Sequence, residues 1–146
     1  MSGGSISLGI VDDHQVLLDG LGAWIRAQAD DIEVAVACPS WAGLLANPRY
    51  PVDVVLLDLE LGDALPPAVK IATLLLAGVT TVVVSTYAEP ALVRECISAG
   101  ALGFVELVEE VQSQFGVTVQ DVEITEENFG SIDAIDSFVE RKRRAA

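Results

Sequence analysis

Three places in this sequence set polar groups directly behind apolar runs. Asp12 and Asp13 close Ile10-Val11, Asp58 closes Val54-Val55-Leu56-Leu57, and Ser85-Thr86 closes Val82-Val83-Val84. Carboxylates gathered at one edge repel each other, so three of them call for a compensating cation. Oxygen-only donors favour a hard ion, and a partly hydrated Mg²⁺ suits such a set. A cation there neutralises incoming phosphoryl oxygens, which allows one carboxylate to attack phosphorus. A hydroxyl such as that of Ser85 then hydrogen-bonds a phosphoryl oxygen. Each residue also has a plainer role: Asp12 as a helix cap, Asp58 as a turn former, Ser85 as a partner for backbone groups. His14, the chain's single histidine, reads as surface packing beside the acidic pair.

The elements that must position these groups alternate in texture. Residues 6–11, 32–37, 52–58, 80–85 and 102–105 are short and apolar, most of them rich in β-branched side chains, and they read as strands buried on both faces. Longer segments with helical spacing lie between them. Residues 15–29 place Val16, Leu17, Leu21, Trp24 and Ile25 on one face. Residues 41–46 follow Ser40 as a candidate N-cap, while 66–76 and 90–99 open on prolines, and Gly100 reads as a C-cap. Trp24 and Trp41 are expected to pack in the core or at its edge. Strict β/α alternation predicts a doubly wound, five-stranded parallel sheet of flavodoxin-like type. Function in such sheets collects at the carboxyl ends of the strands.

Composition narrows the partners. The 146 residues are 51% hydrophobic but only 5% aromatic, so the core is aliphatic. Cys38 and Cys96 have no partner spacing and read as small buried hydrophobes. The net charge of −14 comprises −8 over residues 1–104 and −6 over residues 105–146, a surface that repels phosphate backbones. Direct nucleic-acid binding is therefore not expected. The basic run at 141–144 reads as a helix-dipole partner. No apolar run is long enough to span a bilayer, and the N-terminus has no basic region of a secretion signal. A soluble cytoplasmic protein is the expectation.

Taken together, IVDDH at 10–14, DVVLLDLEL at 53–61, VVVSTY at 82–87 and ALVRECISAGALGFV at 91–105 closely resemble the receiver domains of bacterial response regulators, especially those joined to helix-turn-helix output domains. The resemblance covers residues 5–105 and implies a role at each matching position. Asp58 is the phosphoacceptor and a Mg²⁺ ligand, and Asp13 is a direct ligand of the same ion with Asp12 acting through water. The backbone carbonyl of Glu60 completes the protein's share of the coordination. Ser85 matches the switch hydroxyl, Thr86 the small residue beside it, and Tyr87 the loop that transmits the change of state. A sensor histidine kinase is the implied partner, a homodimer is allowed, and no independent substrate turnover is implied.

Two positions depart from the family pattern. The lysine due after the fifth strand is Leu107, and Gly62 stands where proline is usual. The resemblance then implies metal binding with slower phosphorylation or weaker coupling. After residue 105 the receiver pattern stops. The stretch FVELVEEVQSQFGV at 104–117 resembles the second half of an acyl carrier protein, whose phosphopantetheine is carried by an Asp-Ser-Leu serine; the aligned residues here are Gly100-Ala101-Leu102. We therefore expect a receiver-like domain over 1–104 and an acidic helical segment over 105–146. Its first helix would cover the sheet where the last receiver helix packs, and its last would run from about Ser131 to Arg143 with Ile132, Ile135, Phe138 and Val139 as its apolar stripe. A non-switching interaction module, a hybrid fold without selected activity and an inactive carrier derivative stand as alternatives.

Overall fold

The computed structural model describes residues 4–85, 89–129 and 132–145. The short apolar runs form β1 (Ile6–Val11), β2 (Ile32–Cys38), β3 (Val54–Asp58), β4 (Thr80–Ser85) and β5 (Gly103–Glu106). Between them lie α1 (Gln15–Gln28), α2 (Trp41–Ala46), α3 (Pro67–Leu76) and α4 (Pro90–Ser98). All strand pairs are parallel, in the order β2-β1-β3-β4-β5. That is the flavodoxin-like order, with its switch point between β1 and β3. The element ends differ from the sequence expectation by one or two residues.

Period-two alternation sends successive strand residues to opposite faces. Leu8, Ile10 and Val34 meet Leu18 and Ile25 of α1 in one cluster. Val11, Val55, Leu57 and Val83 meet Leu44 of α2, Ile71 and Leu74 of α3, and Cys96 of α4 in the other. Cys38, Cys96 and Trp41 are buried as expected. Trp24 is not: it is 60% exposed. The stripe that α1 buries runs through Leu18, Leu21 and Ile25, and at 3.6 residues per turn Trp24 lies about 100° from Ile25. The Val16 and Leu17 side chains lie outside those described.

Local signals set the joints. The Ser40 hydroxyl accepts the Gly43 N–H at 3.0 Å, capping α2. Gly100 follows α4 at φ 116°, and a Cβ there would sit 2.7 Å from Leu75 Cδ2, so backbone and α3 side chain approach as only glycine allows.

The chain after β5 builds a core of its own. The helix α5 (Leu107–Phe115) follows β5 with no intervening residue; a 3₁₀ turn at Asp121–Glu123, α6 (Glu126–Phe129) and α7 (Ile132–Ala145) complete it. Val108 and Val111 pack with Val119, Phe129, Phe138 and Val139, with Leu107 and Ile135 at the margin. Phe129 and Phe138 meet edge to face at 5.3 Å. The two clusters at the sheet contain no residue beyond Phe104. The apolar stripe of α5 is taken up in this cluster, beside the phenylalanine pair. Ser131 and the Ile132 side chain lie outside those described. The basic run is partly absorbed within this unit. Lys142 pairs with Glu123 at 3.0 Å and stands 5.9 Å from the Phe138 ring centre, and Arg141 donates to Asn128 Oδ1 at 2.9 Å. Among the described residues no helix is long and apolar enough to cross a membrane.

Candidate functional site

β1 and β3 are neighbours, with Val11 opposite Leu57. The carboxylates that follow them, Asp12-Asp13 and Asp58, therefore emerge at one edge of the sheet. β4 pairs with β3 on the other side, Asp58 opposite Val84, which sets Ser85 one position beyond. Ser85 is buried and stands opposite Glu106 of β5. This register brings the strand ends that carry Asp12, Asp13, Asp58 and Ser85 to one edge of the sheet.

Asp12 is buried, and its N–H donates to Cys38 O at 3.1 Å. Its Oδ1 accepts two groups of His14, the backbone N–H at 2.9 Å and Nδ1 at 2.8 Å. The same imidazole nitrogen lies 3.1 Å from Asp13 Oδ1. Donor atoms of Asp12, Asp13, His14 and Asp58 all lie within 4.8 Å of one another. The helix-cap role weighed for Asp12 is not adopted, because the N-cap of α1 is His14, which makes no side-chain capping bond. Asp58 Oδ1 accepts the Glu60 N–H at 3.1 Å, a two-residue turn that fixes the carboxyl plane.

Crowding shows in the protonation of the cluster. Burial, and next the Asp12 carboxylate, push the Asp58 carboxyl up to about 7; the Glu60 N–H and His14 pull the other way. The Asp12 hydrogen bond, opposed by burial, holds His14 above its ordinary value, and the Asp12, Asp13 and Asp58 charges add to it. An anion at Asp58 is thus costly until a cation joins the cluster. The three carboxylates form the hard oxygen set that Mg²⁺ takes, so the residues fit that ion.

Sequence reasoning missed two participants. His14, read as surface packing, is folded back onto the carboxylates. The signal was present in the Asp-Asp-His run at a helix start, where a two-residue backbone turn returns the ring to Asp12. Lys70 was not singled out; it is buried in α3, and its Nζ donates to Asp63 Oδ1 at 2.7 Å. That contact holds Asp63 below the usual carboxylate range and ties the loop after β3 to α3. Gly62 in the same loop has φ 72°, which explains a residue other than proline there, because proline is fixed near −65°. Leu107 begins α5 and packs at the margin of the C-terminal core. Thr86 and Tyr87 lie outside the described residues.

No protein-family model matches the chain. It is 28% identical over 100 residues to the transcriptional regulatory protein UhpA of Salmonella typhimurium (68% of this chain, 50% of that protein). The chain spans about half the length of the curated relatives it matches. The isolated receiver domain of RcsB from Salmonella enterica serovar Typhimurium, solved with phosphomimetic BeF₃⁻, superposes with TM-score 0.63 at 18% identity, over 70% of this chain and 78% of that one. The response regulator domain of Thermotoga maritima CheB superposes with TM-score 0.62 at 19% identity, over 97% of this chain and 96% of that one. The fold is that of these receiver domains.

Proposed function

We propose that residues 1–104 are a phosphoacceptor receiver of a two-component phosphorelay, modified on Asp58 by the phosphohistidine of a sensor kinase. The observation that carries this is the cluster of Asp12, Asp13 and Asp58 at the adjoining ends of β1 and β3. An Asp58 carboxylate oxygen attacks phosphorus, the P–N bond to the donor imidazole breaks, and that imidazole leaves with the bonding pair and takes up a proton. Asp12 and Asp13, with the Glu60 carbonyl, would hold Mg²⁺, which when bound neutralises the three phosphoryl oxygens. The Glu60 N–H orients the nucleophile, and the Ser85 hydroxyl reaches the transferred group from β4. The chain itself turns over no substrate, and a cytoplasmic location follows from the kinase partner. Residues 105–146 form the second unit of this reading, supported by their separate core.

The switch half of the cycle is weaker. Leu107 belongs to the C-terminal core and brings no charge to the phosphoryl group, so phosphorylation is slow or poorly transmitted. The test is incubation with Mg²⁺ and acetyl phosphate, followed by intact mass. A gain of one phosphoryl group in the parent but not in Asp58→Asn is expected, and its absence refutes the assignment. A second reading, a non-switching interaction module, is favoured by the same position of Leu107. It requires a partner to bind Asp58→Asn and the parent equally.

A further inference from the structure

We infer that the outward face of α3 is a self-association surface, on which a second copy of this chain pairs antiparallel about a two-fold axis between Ala72 and Thr73. Between Asp63 and Glu89 the chain has a single charged residue, Lys70. Lys70 is 2% exposed and buried together with Ile71 and Leu74, and its Nζ donates to Asp63 Oδ1 at 2.7 Å. At about 100° per residue, Val69, Ala72, Thr73 and Leu76 fall on the opposite side of the helix. All four are exposed, Val69 at 45% and Leu76 at 90%. A helix that is apolar all round is ordinarily a buried one, yet α3 leaves this side to water.

The stripe is also ready to be covered. Its one polar side chain, Thr73, donates its hydroxyl to Val69 O at 2.7 Å, one turn back in the same helix. No side chain on the stripe therefore gives up a needed water partner when the face is buried. Exposed apolar surface of this kind marks a site of association.

Charge and spacing select the occupant. Each copy carries a net charge of −14, so two copies repel wherever their acids face each other. The α3 stripe is free of that repulsion, and it matches itself. Its positions stand at i, i+3, i+4 and i+7, the spacing of a helix-packing seam. In an antiparallel pair, Val69 of one copy faces Leu76 of the other at both ends. The smaller Ala72 and Thr73 meet at the centre, where they let the helix axes approach. The contact is isologous, as in the common two-fold dimer. The ten residues of α3 give a helix about 15 Å long, a small contact beside the ~800 Å² per partner of a stable interface. The pairing is accordingly weak and reversible.

The experiment is analytical ultracentrifugation of the full chain, metal-free and unphosphorylated, from about 10 µM to about 1 mM, a range that brackets weak pairing. The average mass of the parent should rise toward that of a dimer across this range. Val69→Lys and Leu76→Glu should each weaken association tenfold or more, with circular dichroism spectra like the parent's because both positions are exposed. An equal mixture of the two variants should regain association, since antiparallel pairing sets position 69 of one against position 76 of the other. Added salt should strengthen association of the parent by screening the net charge. A parent that stays monomeric at about 1 mM overturns the inference, as do variants that associate like the parent or a mixture that stays monomeric. Uptake of a monomeric parent by phosphatidylcholine vesicles would assign the stripe to a lipid surface and overturn self-pairing as well. The assay uses neither Mg²⁺ nor a phosphodonor, so its outcome is independent of Asp58.

Discussion

Replacing Asp58 by Asn should stabilise the metal-free protein at neutral pH, although it removes the residue on which the proposed chemistry depends. Folding raises the Asp58 carboxyl from its ordinary 3.8 to about 7, through burial and the Asp12 charge. The folded state therefore binds more protons than the unfolded chain between about pH 4 and 7. The associated stability is complete below pH 4 and is lost as pH rises through 7. At 1.36 kcal/mol per pH unit the full shift corresponds to about 4 kcal/mol, and discounting for solvent at the open side leaves about 2 kcal/mol. In a chain of this size that is roughly 4–8 °C in Tm. His14, whose value is also raised, loses its contribution in the same direction as pH rises. The difference between the parent and Asp58→Asn profiles is therefore the quantity to follow. Thermal unfolding in EDTA from pH 3.5 to 8.5 should show curves that meet at the acid end and draw apart between about pH 4 and pH 7, with Asp58→Asn the higher. Mg²⁺ at ten times its Kd should return about 1.4 kcal/mol to the parent. Parallel curves, or a variant less stable than the parent at pH 8, would refute the proposed charge crowding.

Other positions give independent checks. The Thr81 hydroxyl is buried without a hydrogen-bond partner; Thr81→Val should raise stability by about 1 kcal/mol in chemical denaturation, and a loss means that the hydroxyl is satisfied. Gly100→Ala meets both a left-handed φ and the Leu75 side chain, so a loss of about 2 kcal/mol is expected, with partial recovery in the Gly100→Ala, Leu75→Ala double variant. Asp63→Ala strands a buried lysine, whereas Lys70→Met leaves only an exposed carboxylate. The first should lower Tm more than the second, and the reverse order would show that the pair does not anchor the loop.

Much of the sheet was legible because its signals are local and repeated. The first four strands are apolar runs with β-branched residues, α2, α3 and α4 open on a cap or proline, and Asp12, Asp13, Asp58 and Ser85 stand where those runs stop. What was not legible depends on angles and on contacts distant in sequence. Trp24 shares the apolar texture of α1 but faces solvent, because its angle around the helix falls outside the buried stripe. His14 looked peripheral because the turn that folds its ring onto Asp12 is a backbone feature with no marker of its own. The packing of α5 was not legible for another reason. Its stripe would suit the sheet or the Phe129–Phe138 pair equally, and only the chain beyond residue 115 decides between them.

The passage from β5 to α5 without a spacer gives the C-terminal unit no slack. The final strand residue, Glu106, lies opposite Ser85, and the next residue already begins the helix. A helix of nine residues is about 13 Å long, so a 10° twist at this junction carries its far end about 2 Å. The pivot of such a twist would be the strand position facing the buried serine, and the tip of α5 the place where it is largest.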